Sequence, residues 1–211
     1  LKEMNNSKSP GSDGITITSI NYSYQTQNIT ELQKQGLITL IPKSDKDITL
    51  LSNWRPICLL NIDYKIATKA TANRIKQNLN KIIDSSQTGF IKGRYIGENI
   101  RLIIEILNHV DENDLNGILF FSDFEKAFDT LNHDFMFKCL KHFNFGNDLI
   151  NWVKLVYSNS QNAILNNGHM TDFFPVKRGV KQGCPLSPYL FIMCIELLSF
   201  EIANNSDIKG I

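Results

Sequence analysis

Apolar residues in the first half of the chain form two short runs followed by longer helical repeats. The runs lie at 37–42 and 54–60, and the charged turn between them predicts a β-hairpin. Over residues 64–82 the apolar positions recur at helical spacing while lysines fall largely on the other face, which predicts an amphipathic helix with a basic surface. Another helix fits residues 99–110.

The second half begins with a continuous apolar run at 117–121, which predicts a central strand buried on both faces. The Asn167-Gly168 pair predicts the tight turn of a second hairpin. Helices are expected at 134–142, 148–157 and 187–203. The last of these is apolar nearly all round, so it is expected to be buried. Since strands and helices mix without regular alternation, the sequence predicts an α+β fold.

Length and composition restrict the class of protein. A chain of 211 residues with 42% hydrophobic and 20% charged residues can bury a core and fold as one or two globular domains. No apolar run reaches membrane-spanning length, and residues 1–10 show neither a signal-peptide core nor an initiator methionine, so we expect a piece of a longer chain without a membrane partner. The four cysteines are scattered without zinc-ligand spacing, which favours free thiols in a reducing, intracellular compartment.

The net charge of +1 hides an uneven distribution. Residues 43–94 contain ten lysines and arginines against four acidic residues, whereas residues 98–148 contain four against ten. Such a split is typical of a protein that grips a polyanion with one part and holds cations with another. Two oppositely charged surfaces that only keep the fold in solution are a common alternative.

The strongest chemical signal follows the apolar run, in the sequence FSDFEKAFDTLNH at 121–133. An aspartate at the end of a buried strand, here Asp123, can present its carboxylate into a cleft, and hard oxygen ligands suit Mg²⁺. The backbone carbonyl of Phe124 is a nearby second ligand. The structural alternative for Asp123 is an N-cap of the following helix. For Asp129 a structural role is favoured, and an aromatic residue such as Phe128 more often belongs to a core.

A second motif of a different kind, RGVKQGCPLSP, occupies residues 178–188. A glycine in such a loop lets the backbone approach a ligand closely. The structural alternative is an entry into the last helix, with Pro188 in its first turn and Gly183 in the preceding loop. Both interpretations can hold at once.

The segment DFEKAFD at 123–129, with Asn132-His133 behind it, closely resembles the first catalytic motif of the reverse transcriptases of LINE-type, non-long-terminal-repeat retrotransposons. Four further segments resemble motifs of the same family and occur in its order: SPGSDG at 9–14, LIPK at 40–43 with NWRPI at 53–57, QTGFIKGR at 87–94 and QGCPLSP at 182–188. Together they span almost the whole chain, which therefore resembles the fingers and palm of such an enzyme.

The resemblance implies a right-hand polymerase fold of the α+β class and a role for individual residues. The implied catalytic residue is Asp123, which would bind Mg²⁺ together with the carbonyl of Phe124. The implied nucleotide contacts are Lys43, Lys46, Arg55, Phe124, Phe128, Gln182 and Gly183. The implied contacts to nucleic acid are Ser9, Gly11, Asp13, Lys92, Arg94, Lys177 and Arg178.

Residue chemistry supports several of these implied roles. The planar guanidinium of Arg55 can hold phosphate oxygens bidentately, whereas Lys43 and Lys46 would act as point charges. Phe128 aligns with the sugar-gating aromatic of the family, whose ring would crowd a ribose 2′-hydroxyl and so select deoxynucleotides. Basic side chains on phosphates add affinity without sequence choice. The structural alternative for each lysine and arginine is a solvent-facing charge.

The implied partners are an RNA template, a DNA primer and deoxynucleoside triphosphates, with Mg²⁺ as the cofactor. The implied division is an N-terminal template-contact motif with a shortened fingers extension at 1–36, the fingers at 37–110 and a partial palm without a thumb at 111–211. The chain departs from the family in two respects. It contains no Tyr-x-Asp-Asp motif, nor any other Asp-Asp pair, and the stretch between residues 14 and 37 is short.

One aspartate cannot readily hold two Mg²⁺ ions, so we expect the chain as given not to polymerise. In an intact relative, the function would be RNA-directed DNA synthesis from a 3′-hydroxyl primer. One alternative is a non-catalytic relic that binds RNA or DNA through its basic fingers. Another is a maturase of the group II intron type, which shares the palm but aids splicing. The FEKAFD wording and Cys184 after Gln182-Gly183 favour the LINE-type family.

Overall fold

The computed structural model describes residues 28–208 together with residues 23, 25 and 26. In this part the helices are α1 (Glu31–Lys34), α2 (Ile62–Lys76), α3 (Leu79–Ile82), α4 (Ile96–Glu112), α5 (Ala127–Thr130), α6 (His133–His142), α7 (Asn147–Tyr157) and α8 (Ser187–Ala203). The strands are β1 (Gly36–Pro42), β2 (Trp54–Leu60), β3 (Gln161–Asn166), β4 (His169–Met170) and β5 (Phe174–Pro175). A short 3-10 turn, Leu51–Asn53, precedes β2.

Strands β1 and β2 form the first predicted hairpin. They pair antiparallel over their whole length, from Gly36 opposite Leu60 to Pro42 opposite Trp54. Two short apolar runs joined by a charged turn were the local signal for this pairing. The structure confirms it.

Strand β3 joins this hairpin to the second one in a single mixed sheet. It runs parallel to β1 and antiparallel to both β4 and β5. The turn between β3 and β4 contains Asn167 and Gly168, with φ values of +49° and +78°. Two successive positive φ values match the right-handed twist of a two-residue hairpin, so the second predicted hairpin is confirmed as well.

The core lies among α2, α6, α7 and α8, with Cys58 and Leu60 of β2 packed against it. Trp152 on α7 is fully buried there, and its indole donates to the Thr71 hydroxyl of α2 at 2.9 Å. A buried indole N–H needs such a partner. The small mixed sheet packed with helices is the α+β arrangement that the sequence predicts.

The apolar run at 117–121 does not form the predicted central strand. Residues 115–124 are irregular, and Ile118 and Phe120 are 95% and 83% exposed. A strand needs hydrogen-bonded neighbours, and no strand in the described part of the chain pairs with this run. The prediction is wrong because apolar composition favours burial without supplying the partner strand that would bury the run.

The predicted helices are confirmed, with three differences. The helix expected over 64–82 is divided into α2 and α3, and α4 extends beyond its predicted 99–110 at both ends. No residue of α4 is buried. Helix α8 has the predicted bounds, but its expected burial holds only for the first half, because Leu198, Phe200 and Ile202 are exposed.

Within the described ranges, none of the helices has the length and apolar character needed to cross a membrane. The predicted template-contact motif at 9–14, with Ser9, Gly11 and Asp13, lies outside the described residues. The division into an N-terminal motif, fingers and partial palm remains a prediction.

Candidate active site

The two most distinctive sequence motifs lie next to each other in the fold. We refer to residues 123–133 as the aspartate segment and to residues 178–183 as the glycine loop. The aspartate segment leads into α6 and the glycine loop leads towards α8, and these two helices pack against each other in the core. Helix packing therefore brings the two segments together at the N-terminal ends of the helices.

Three hydrogen bonds join the aspartate segment to the glycine loop. The Val180 amide donates to the Phe128 carbonyl at 2.6 Å, and the Gly179 amide donates to the Leu131 carbonyl at 2.7 Å. The carbonyl of Gly179 lies 2.8 Å from Nε2 of His133. A carbonyl oxygen can only accept, so this ring nitrogen carries the proton. The relative position of the two motifs is thus set by backbone contacts.

Gly179 allows this close approach. Its φ is +83°, and a Cβ at this position would lie 2.7 Å from the Phe128 carbonyl oxygen and 2.8 Å from that of Asp129. Both atoms belong to the backbone and cannot move aside as a flexible side chain would. Only glycine combines this φ with the space that the contact leaves.

A side-chain contact adds to the backbone contacts. Gln182 Nε2 donates to the Asp129 carboxylate, at 3.3 Å to Oδ1 and 3.5 Å to Oδ2. These distances are long for a hydrogen bond to a carboxylate, so the contact orients Gln182 without fixing it rigidly. On the other side of the loop, a Cβ on Gly183 would lie 2.9 Å from the Cys58 carbonyl oxygen. The loop is therefore packed between the aspartate segment and β2.

A cavity of about 280 Å³ lies where the glycine loop, Asp129 and the sheet come together. Its lining combines apolar side chains with the polar groups of Asp129, Asn162 and Gln182. Lys177 and Arg178 also line it and are exposed, and neither forms an ion pair with any residue that the structure describes. Exposed cations without a carboxylate partner suit an anionic ligand.

Asp123 lies in the exposed, irregular part of the aspartate segment and is not among the residues that line this cavity. The residues that follow it are anchored. The rings of Phe124 and Phe128 meet the ring of Phe191 on α8 edge-on, with centroid distances of 6.4 and 5.2 Å. Such pairs are attractive beyond the area that they bury. The role of Asp123 as a metal ligand stays a prediction.

The resemblance seen in the sequence implies a divalent metal, which needs several oxygen ligands close together. Among the described residues, no group of three His, Cys, Asp or Glu side chains lies close enough together to hold a metal ion. Asp123 and a backbone carbonyl supply a single charge, which leaves almost the whole Mg²⁺ octahedron to substrate and water. The described residues therefore do not constitute a Mg²⁺ site by themselves.

The nucleotide contacts expected from the first hairpin lie in and beside its connection. Lys43 Nζ donates to the Ser52 carbonyl at 2.9 Å, which gives this side chain a partner within the fold. Lys46 and Arg55 are exposed. Arg55 directly precedes Pro56, a residue of the cavity wall. Successive side chains of a strand point to opposite faces of the sheet, and Pro56 and Cys58 line the cavity, so the Arg55 side chain is directed to the other face. The contact of Arg55 with the triphosphate stays a prediction.

Arg94 has a role in the fold itself. Its guanidinium donates to the carbonyls of Ile83, Asp84 and Gln87, at 2.9 Å for Ile83 and 2.7 Å for Gln87. These bonds satisfy backbone acceptors in the turn that follows α3. Lys92 is exposed. The phosphate contacts expected of both residues stay predictions, and Arg94 has fewer donors left to make one.

Two buried polar residues beside the cavity were not expected from the sequence. Asn162 on β3 is buried, and its amide oxygen lies 3.8 Å from the Cys58 thiol. Lys181 is buried within the glycine loop. Neither position carries a local signal, because its burial results from contacts between parts of the chain that are far apart in sequence.

Comparison with known proteins identifies the family. Residues 41–209 match the family described as reverse transcriptase (RNA-dependent DNA polymerase). The chain is 34% identical to the transposon TX1 uncharacterized 149 kDa protein of Xenopus laevis, over 93% of this chain and 16% of that protein. It is 28% identical to the retrovirus-related Pol polyprotein from type-1 retrotransposable element R2 of Popillia japonica, over 95% of this chain and 29% of the relative.

A further relative is the RNA-directed DNA polymerase from mobile element jockey of Drosophila melanogaster, which is 26% identical over 75% of this chain and 17% of its own length. The chain thus spans less than a third of each of these relatives. The family match, in contrast, covers most of the chain and includes both segments that meet at the cavity. The chain therefore belongs to the reverse transcriptase (RNA-dependent DNA polymerase) family, as a domain of the kind found in non-long-terminal-repeat retrotransposons.

Proposed function

We propose that this chain forms the fingers and most of the palm of a LINE-type reverse transcriptase and that it holds an RNA template paired with a DNA primer. In this assignment, the β1–β2 hairpin and α2 belong to the fingers, and the aspartate segment and the glycine loop belong to the palm. The observation that carries the proposal is the set of three hydrogen bonds between the aspartate segment and the glycine loop.

Convergence of distant motifs supports this proposal. Pro56 and Cys58 of the hairpin line the same cavity as Asp129 and Gln182. Three of the motifs that resemble the family therefore meet in one place, although long stretches of chain separate them. Local roles as caps and turns do not require these residues to lie close together, so their position around one cavity favours a shared binding role.

Charge around the cavity favours nucleic acid as the ligand. Lys177 and Arg178 are exposed and lack ion-pair partners among the described residues. A phosphate that binds them therefore has no carboxylate to displace. The Asp129 carboxylate belongs to a residue that lines the same cavity. It would repel a phosphate but accept hydrogen bonds from a base or a sugar hydroxyl. We therefore place the backbone of the nucleic acid on the basic side and a base or sugar towards Asp129.

Phe128 suits the proposed sugar gate. A gate can discriminate only if its ring cannot swing away, and this ring is half-buried with its centroid 5.2 Å from that of Phe191. Its backbone carbonyl is held by the Val180 amide as well. The ring contact opposes rotation of the side chain and the hydrogen bond fixes the backbone that carries it, which supports selection of deoxynucleotides by steric exclusion.

We further propose that the intact enzyme carries out RNA-directed DNA synthesis with deoxynucleoside triphosphates, whereas this chain alone binds nucleic acid without catalysis. The second statement is favoured by the single carboxylate at Asp123 and by the lack of a three-ligand metal cluster in the described ranges. Asp123 and the Phe124 carbonyl are the residues that would contribute to the metal site of the intact enzyme. Bound Mg²⁺ would supply charge neutralisation for phosphoryl transfer.

Binding of a labelled RNA–DNA heteroduplex is expected to weaken steeply with salt, because phosphate contacts release counterions. The logarithm of the association constant should fall linearly with the logarithm of the salt concentration. Removing one phosphate contact, as in Lys177→Met or Arg178→Gln, should make the slope less negative by about 0.9. Fluorescence anisotropy over a series of salt concentrations gives each slope.

Lys141→Met is the matched control for this experiment. Lys141 is an exposed lysine on α6 that does not line the cavity. Its loss removes the same charge from the chain, so it should leave the slope unchanged. Absent or salt-insensitive binding of the unmodified chain would contradict the proposed function. Equal salt slopes for Lys141→Met and Lys177→Met would contradict the proposal that the nucleic acid binds at this cavity.

Primer extension on an RNA template tests the second part of the proposal. No nucleotide incorporation is expected from the 211-residue chain with Mg²⁺ and deoxynucleoside triphosphates, because one carboxylate cannot organise two metal ions. Incorporation that disappears in Asp123→Asn would show that the chain is catalytically complete and that our expectation is wrong.

A further inference from the structure

Lys181, in the middle of the glycine loop, is buried although it is charged. Only 5% of its surface is exposed. Its Nζ donates to the carbonyl of Lys34 at 2.6 Å and lies 4.7 Å from the centre of the Tyr64 ring. A cation over an aromatic face is attracted by the negative charge density of the ring. Lys181 is among the residues that line the cavity, and its ammonium is held by these two partners in the body of the fold.

The two partners of the Lys181 ammonium, a carbonyl acceptor and an aromatic ring, belong to elements outside the glycine loop. Lys34 is the last residue of α1, so its carbonyl is one of the acceptors that a helix end leaves unpaired. Tyr64 lies in the first turn of α2 and is almost fully buried. A single side chain thus connects the loop to the C-terminus of α1 and to the start of α2.

The backbone of Lys181 is held as firmly as its side chain. Its carbonyl accepts from the Ser187 hydroxyl at 2.9 Å and from the Cys184 amide at 3.1 Å. The Ser187 hydroxyl in turn lies 3.1 Å from the hydroxyl of Tyr157 on α7. The residue that follows Lys181 is Gln182, whose side chain meets Asp129 in the cavity.

We propose that Lys181 is a positioning residue, whose buried ammonium anchors the glycine loop so that Gln182 and Gly183 face the nucleic acid. The proposal rests on the function proposed above and adds a residue that acts through its neighbours. Although Lys181 lines the cavity, its ammonium is already engaged by the Lys34 carbonyl and the Tyr64 ring and the residue is only 5% exposed, so in this proposal it does not bind a phosphate directly.

This role differs in kind from that of the neighbouring cations. Lys177 and Arg178 are exposed and would contribute their charge directly to binding. Loss of a phosphate contact changes how strongly affinity depends on salt, because fewer counterions are released. Loss of a positioning residue lowers affinity by the same factor at every salt concentration. The two roles can therefore be distinguished by experiment.

The experiment compares Lys181→Met with Lys177→Met in the full 211-residue chain, with an RNA–DNA heteroduplex as the probe. Methionine keeps the length of the lysine stem and removes the charge and the donors. Lys181→Met is expected to lower affinity roughly tenfold, the cost of about one buried hydrogen bond, with an unchanged salt slope. Lys177→Met is expected to change the slope. A changed slope for Lys181→Met would show a direct phosphate contact and overturn the proposal.

The pH dependence of binding distinguishes a positioning role of Lys181 from a purely structural one, because a purely structural role would not make the affinity change with pH. Burial lowers the pKa of Lys181 to about 8, whereas exposed lysines stay charged up to pH 9. The neutral amine keeps a hydrogen bond to Lys34 but loses its attraction to the Tyr64 ring. Affinity of the unmodified chain should therefore fall between pH 7 and 9, and Lys181→Met should show a flat profile. A parallel fall in both proteins would contradict the proposal.

Amide hydrogen exchange tests the anchoring without any ligand. The amides of Gly179, Val180 and Cys184 are hydrogen-bonded in the folded chain. In Lys181→Met they should exchange at least tenfold faster, while amides in the middle of α7 keep their rates and Lys177→Met keeps all of them. If the loop amides of Lys181→Met exchange at the same rates as those of the unmodified chain, the anchoring role of Lys181 is overturned, whether or not the chain binds RNA. Failure of the unmodified chain to bind RNA, with faster loop exchange in Lys181→Met, overturns the proposed function and leaves the anchor established.

Discussion

Replacing Gly179 with alanine is expected to lower the free energy of unfolding by about 3 kcal/mol. The backbone at this position has φ +83°, which alone costs a residue with a Cβ about 1 kcal/mol. The new Cβ would also lie within 3.0 Å of three backbone atoms of Phe128 and Asp129. To relieve these contacts, the loop must retreat, which weakens the hydrogen bonds to Phe128, Leu131 and His133.

Gly93→Ala is the matched control for this substitution. Gly93 has nearly the same φ, +87°, but a Cβ there would meet nothing within 4 Å. The control therefore measures the backbone strain alone, and we expect a loss of about 1 kcal/mol. Urea denaturation of both variants gives the two free energies. Equal losses would show that the contact between the loop and the aspartate segment adds nothing to the stability of the fold.

Gly179→Ala should also disturb the site while leaving the rest of the fold in place. Retreat of the glycine loop carries Gln182 away from Asp129 and opens the cavity, while the core around Trp152 is untouched. Binding of the RNA–DNA heteroduplex is therefore expected to fall in Gly179→Ala and to persist in Gly93→Ala. Contact between the two motifs would then be needed for function as well as for stability.

Features with a local cause could be predicted from the sequence. The Asn167-Gly168 turn was predicted because two positive φ values need residues of this kind, and the bounds of α8 follow from a proline in its first turn and a long apolar repeat. The motifs themselves were also evident in the sequence, because residue identity alone carries the resemblance.

Features that depend on a distant partner could not be predicted. The parallel pairing of β1 with β3 joins segments separated by more than half of the chain, and no residue in either strand specifies it. For the run at 117–121 the sequence predicts a contact that the fold does not make, since its apolar composition predicts burial but no described strand pairs with it. Lys181 is similar, because a lysine in a basic segment is ordinarily exposed and only the fold places it under Tyr64.

The second large effect is expected in the pH dependence of stability. Burial lowers the pKa of Lys181 from 10.5 to about 8, and the unfolded chain keeps the higher value. Between these values the unfolded state binds more protons than the folded state, so the free energy of unfolding rises with pH. From pH 7.5 to 9 the gain from Lys181 is on the order of 1 kcal/mol.

The groups that face the Lys181 ammonium determine the usable pH range. They are Lys34 at the end of α1, Tyr64 on α2, Cys58 on β2 and Cys184 in the following turn. Burial lowers the pKa of Lys34, which adds to the rise in stability, and raises the pKa of Cys58 and Tyr64. Because a thiol with a raised pKa costs stability above pH 9, the measurement should end there.

Urea denaturation at intervals from pH 7.5 to 9 is expected to give a rising free energy of unfolding for the unmodified chain and for Lys177→Met, and a much flatter profile for Lys181→Met. At pH 7.5 the methionine variant should lose little stability, because it removes a buried charge and the Lys34 carbonyl keeps the Ser160 hydroxyl at 3.4 Å as a donor. An unchanged slope in Lys181→Met would assign the titration to another group. The free energy of unfolding should thus rise with pH while the affinity for RNA falls. Such opposite trends require a buried cation whose charge lowers the stability of the fold but orders the binding loop. Among the described residues, Lys181 has both the burial and the position in that loop.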